Sequence, residues 1–179
     1  FTDTVLDAIL FGYPPYSQYL DGVFIDTISA WIEPYALCYD WNCTQTEYEQ
    51  LWNASLAMTE DALKYLSSPS VNKIGSMSSR GDLFDMHEYY EQFIALIYKY
   101  RDHAVRYVEE ITNTRTSTLY NHMVTILDAL QHNISIQVHV LPATYNPDMV
   151  ELAGYLVVAS NHTWFSTSVG GWGVNDSWW

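Results

Sequence analysis

The stretch from Leu83 to Thr112 constrains the fold more than any other. At 100° per residue, Met86, Tyr89, Tyr90, Phe93, Ile97, Tyr100, Ala104, Tyr107, Val108 and Ile111 share one face. Glu88, Glu91, Gln92, Lys99, Asp102, Arg106, Glu109 and Glu110 fall opposite. This split follows a period of 3.6 residues and predicts one amphipathic helix over 83–112. Such a rod is roughly 45 Å long, and no Pro or Gly interrupts it.

Shorter helices are expected around it. Residues 3–11 are capped by Thr2 or Asp3 and stopped by Gly12 with Pro14-Pro15. Ser17 to Glu33 has an unusually wide apolar face and ends at Pro34. Thr44-Gln45-Thr46-Glu47 has capping-box spacing and starts a helix that runs to about Leu66. Residues 71–82 read as a Ser- and Gly-containing connector. Ser117 to His132 is the next helix, antiparallel to the long one.

The pattern then changes. Ile134, Ile136, Val138 and Val140 alternate with Ser135, Gln137 and His139, a period of two that predicts a strand with one wet face. Asn146-Pro147-Asp148 caps a brief helix through Leu152, Tyr155 to Ser160 is β-prone, and Thr163 to Val169 offers a third strand. The expected architecture is therefore mainly α. It is an antiparallel bundle of about five helices around 83–112, with a small C-terminal β element at 134–141 and 155–168. All 179 residues form one domain: 1–132 the bundle, 133–169 the β appendage and 170–179 a Gly- and Trp-rich tail.

Charge and sequons bear on function. The net charge is −14, and all seven Lys and Arg lie between Lys64 and Arg115. So acidic a chain repels phosphate backbones and anionic lipid heads, which argues against a nucleic-acid partner. No stretch approaches 18 apolar residues, so no membrane span is expected. Asn42, Asn53, Asn133, Asn161 and Asn175 each open an Asn-X-Ser/Thr triplet, which predicts N-linked glycans and passage through the secretory route. The chain starts at Phe1 rather than Met, as removal of a signal peptide would leave it. Cys38 and Cys43 are the only cysteines, and in an oxidising compartment they pair around Tyr39-Asp40-Trp41-Asn42. The expected location is extracellular or at the cell surface.

No local signature of catalysis stands out. Gly-X-Ser-X-Gly, a phosphate loop, His-Glu-X-X-His and an EF-hand loop are all missing from the sequence. His87 with Glu91, and Asp128 with His132, stand four apart on predicted helices, but two such ligands do not make a metal site. Neither a metal nor a cofactor is expected, and no catalytic residue is assigned. Arg80-Gly81-Asp82 matches the adhesion tripeptide, though a turn at Gly81 and a cap at Asp82 account for it.

The chain holds fifteen Tyr and seven Trp, more than a core of this size needs. The leading expectation is a non-enzymatic structural or interaction subunit that assembles with itself or a protein partner, with Trp172, Trp178 and Trp179 at the interface. The alternatives are a small-ligand-binding bundle with a pocket lined by Phe24, Trp31, Phe93 and Ile97, and a secreted enzyme that uses carboxylates.

Overall fold

The computed structural model describes residues 5–12, 18–25, 44–80, 87–109, 116–140, 149–167 and 177–178. Five parallel strands lie side by side in chain order: β1 (Gly22–Ile25), β2 (Ile74–Arg80), β3 (Ala104–Glu109), β4 (Ser135–Val140) and β5 (Thr163–Thr167). A two-residue β6 (Ser177–Trp178) adds antiparallel to β5. The helices are α1 (Asp7–Phe11), α2 (Gln45–Leu66), α3 (His87–Lys99), α4 (Thr116–Gln131) and α5 (Met149–Val158). Apart from α1, each follows one strand and precedes the next. The fold is α/β, and the expected helical bundle with a β appendage is incorrect.

The central error falls on 83–112. Its first part does form α3, but a tight turn ends the helix. Tyr100 N–H donates to Ile97 O, Arg101 N–H to Tyr98 O and His103 N–H to Tyr100 O. The chain then leaves as β3, where Ala104-Val105-Arg106-Tyr107-Val108 is rich in β-branched and aromatic residues. The helical phase continues across this turn by coincidence. Ala104 is buried in either reading, but Arg106, which the helix would send to solvent, is fully buried in the strand.

Three other segments change type. The predicted helix 17–33 contains β1, built on Val23-Phe24-Ile25 after Gly22. Glycine is required at 22 because a Cβ there would stand 2.3 Å from the Ile74 carbonyl oxygen. The connector 71–82 contains β2, whose Gly75 lies under Leu63 and Leu66 of α2. The β-prone run 155–160 instead completes α5. Leu152, Tyr155 and Val158 pack inward at a spacing of three, and Leu156 and Val157 stay exposed.

Other expectations agree with what is observed. Thr44 and Glu47 form a reciprocal capping box at the start of α2. The alternating run forms β4, with Ile136 and Val138 buried. Thr44→Ala is expected to cost about 1 kcal/mol, read from the urea midpoint, because it strips an orphan N–H of its acceptor at the helix start.

The described helices that link the strands share one side of the sheet. Gly75 faces α2, Arg106 Nη1 donates to Thr125 O of α4 at 3.3 Å, and the Phe165 ring stands 4.7 Å from Tyr155 of α5. Right-handed crossovers between neighbouring parallel strands produce this one-sided winding. Ile25, Met77, Ala104, Ile136, Val138 and Phe165 form the buried floor under the helices. Arg106 lies within that floor at 0% exposure. Burying a guanidinium is costly, so Arg106→Met is expected to stay within about 1 kcal/mol of the parent, whereas Arg106→Ala leaves a cavity and costs about 3 kcal/mol. Denaturant titration of both variants checks this.

Candidate functional site at the C-terminal edge of the sheet

Alternation along each strand puts the intervening residues on the other face. Phe24, Ser76, Val105 and Ser135 pair across the sheet as one row. Ser78, Tyr107, Gln137 and Trp164 make the next. Arg80, Glu109, His139 and Ser166 make the last, and Trp178 of β6 continues it. Parallel sheets are normally apolar on both sides. Here one side is apolar under helices, and the other is mostly Ser, Gln and ionisable positions. Phe24, Ile74 and Trp164 on this side remain 44%, 40% and 46% exposed, so the described helices do not cover it.

The last row holds the chemistry. It stands at the C-terminal ends of β2, β3 and β4, and adjacent strands are about 4.8 Å apart. Arg80, Glu109 and His139 therefore occupy neighbouring backbone positions at one level. His139 is buried, at 3% exposure. One row earlier Gln137 is half-buried; two rows earlier Ser135 is half-buried and Ser76 Oγ is buried without a hydrogen-bond partner among the described residues. Gln137 and Ser135 can offer hydrogen bonds to a polar ligand from this face of the sheet.

Glu47 and Glu60 on α2 and Lys99 on α3 have displaced pKa values. Lys99 Nζ donates to Glu60 Oε1 at 2.5 Å, and this hydrogen bond, then the charge, holds Glu60 below the ordinary carboxylate range and Lys99 above its own. Glu47 is lowered by the Thr44 backbone N–H, then by its hydroxyl. The first fastens α2 to α3 and the second caps α2, and both are exposed. Because the carboxyl pKa values are depressed on folding, their stabilisation is present at neutral pH and fades as pH falls through the folded values.

The residues singled out by sequence reasoning are scattered. Phe93 and Ile97 are buried on α3, Phe24 projects from the uncovered sheet face, and Trp31 lies outside the described residues. A pocket between two helices loses its basis because 22–25 is a strand. Trp178 pairs through its backbone with Ser166 of the same chain, and Trp172 and Trp179 lie outside the described residues. So do Cys38, Cys43, Asn42 and Asn175. His132 Nδ1 stands 2.8 Å from the Asp128 carbonyl oxygen, a local helix-end contact, and no group of three metal-ligating side chains occurs among the described residues. No described helix is long and apolar enough to cross a membrane.

The row Arg80–Glu109–His139 escaped sequence reasoning because only strand register assembles it. A usable signal existed in β4, where His139 ends the polar face of the strand. No protein-family model, curated protein or solved structure matches the chain.

Proposed function

We propose that the chain is a secreted hydrolase of carbohydrate, with Glu109 as its proton-transferring carboxylate. The row Arg80–Glu109–His139 at the C-terminal edge supports this reading. In sheets wound in one direction, as in β/α barrels, reacting groups gather at the C-terminal ends of the strands. That much is analogy of fold, and the residues give it content. A carboxylic acid suits protonation of a glycosidic oxygen, and a second carboxylate completes the usual pair. Trp164 offers a half-exposed ring beside Gln137, a pairing that suits the apolar face and the hydroxyls of a sugar.

The test is to incubate the folded chain with a panel of aryl glycosides and unmodified oligosaccharides and to measure released sugar. Release from at least one class is expected, and release from none overturns the reading.

A second reading, a subunit that assembles through apolar surface, draws on the outer face of α5, where Leu156 and Val157 are 63% and 70% exposed. Light scattering that finds only monomer at high concentration removes it.

A further inference from the structure

We infer that Asn53, Asn133 and Asn161 each carry an N-linked glycan, added before the chain folds and held afterwards on surfaces away from the C-terminal edge. This stands apart from the assignment of Glu109 in the hydrolase reading, which survives if it fails; only the secreted location rests on the same triplets. Each of the three opens an Asn-X-Ser/Thr triplet, and each is exposed. Asn53 sits on the outer side of α2, whose opposite side buries Tyr48, Trp52, Thr59, Ala62, Leu63 and Leu66. Asn133 and Asn161 lie in the turns that lead into β4 and β5, at the N-terminal edge of the sheet. From Ser135 to His139 the strand rises roughly 13 Å, so sugars on those turns leave the row at the other end uncovered.

The hydroxyl partners give the order of events. A transferase must grip the Ser or Thr two residues beyond the acceptor, but the fold has already engaged these residues. Ser55 is half-buried within α2. Ser135 is paired with Val105 in the sheet. Thr163 is 8% exposed, its hydroxyl donating to Ser160 O at 3.0 Å and accepting from Ser160 N–H at 2.8 Å. Asn133 is further held at a left-handed φ of 56°, with Ile134 N–H bonded to Ala129 O in a Schellman-type helix end. The acceptors are thus wet, while the residues that carry the recognition hydroxyls are fixed in a helix at Ser55, in the sheet at Ser135 and by hydrogen bonds at Thr163. The unfolded chain is the substrate, and the folded one is not.

In the transfer, the Asn Nδ2 forms a bond to C1 of the first sugar of a lipid-diphosphate-linked oligosaccharide. The bond from C1 to the diphosphate oxygen breaks, the lipid diphosphate leaves with that electron pair, and one amide proton passes to a base of the transferase.

The full chain is expressed behind a secretion signal in a eukaryotic host. Total chain, retained and released together, is then treated with peptide amidase in heavy-oxygen water and mapped by mass spectrometry, so that misfolding cannot hide the outcome. Labelled conversion of Asn to Asp is expected at residues 53, 133 and 161, and an unlabelled Asn at any of the three overturns the assignment. Unglycosylated, folded chain offered to the purified transferase with its lipid-linked donor is expected to gain no sugar at these residues, while the urea-unfolded chain gains it. Equal transfer to both overturns the stated order.

Discussion

Glu109→Gln is expected to lower sugar release by about 10²–10⁴-fold and to leave the fold intact. The substitution keeps the length and shape of the side chain and removes only its capacity to give and take a proton. Nothing in the ladder depends on that capacity, because Glu109 is held between Arg80 and His139 through the backbone. Steady-state kinetics on whichever glycoside the parent cleaves, together with a thermal unfolding scan, separate the two effects. Unchanged release with an unchanged midpoint would remove Glu109 from the chemistry. Reduced release with a lowered midpoint would mark it as a structural residue instead.

Trp52→Ala is expected to destabilise the chain by about 3–5 kcal/mol. Trp52 is 2% exposed on α2, and its Nε1–H donates to Gln92 Oε1 of α3 at 2.7 Å. Truncation removes a large ring from between the helices and deprives Gln92 of a donor. Trp52→Phe keeps much of the volume and loses only the hydrogen bond, so it should cost about 1 kcal/mol. Equilibrium urea unfolding of the two variants against the parent gives both numbers. Equal losses for Ala and Phe would show that the hydrogen bond, not the packing, secures this contact.

The elements that were legible in the sequence were those whose local chemistry and tertiary setting agree. Thr44 and Glu47 mark the start of α2 by themselves, and Ser135 to Val140 alternates cleanly because Ile136 and Val138 meet the described helices while Ser135 and Gln137 lie on the opposite side. The β2 strand was not legible. Ile-Gly-Ser-Met-Ser-Ser-Arg has little strand propensity, and it is a strand because Met77 and Gly75 fit beneath α2 between two neighbours. The run 155–160 is apolar throughout, so periodicity alone could not separate strand from helix. Arg106 misled most. A buried arginine reads as a solvent-facing one, and with Asp102, Glu109 and Glu110 it made the helical phase of 83–112 look continuous. The site lay hidden for a related reason. Arg80, Glu109 and His139 are far apart in sequence, and no spacing rule connects them until β2, β3 and β4 are set side by side.

Because the neighbours in the sheet are also successors along the chain, every parallel strand after the first finds its template already synthesised. A nascent polypeptide can thus lay down β1, add β2 to it and continue, without reserving a gap for a strand still to come. Pulse-labelling of ribosome-bound chains stalled after successive strands should record protection that spreads from β1 and β2 outward, in steps of one strand and its helix.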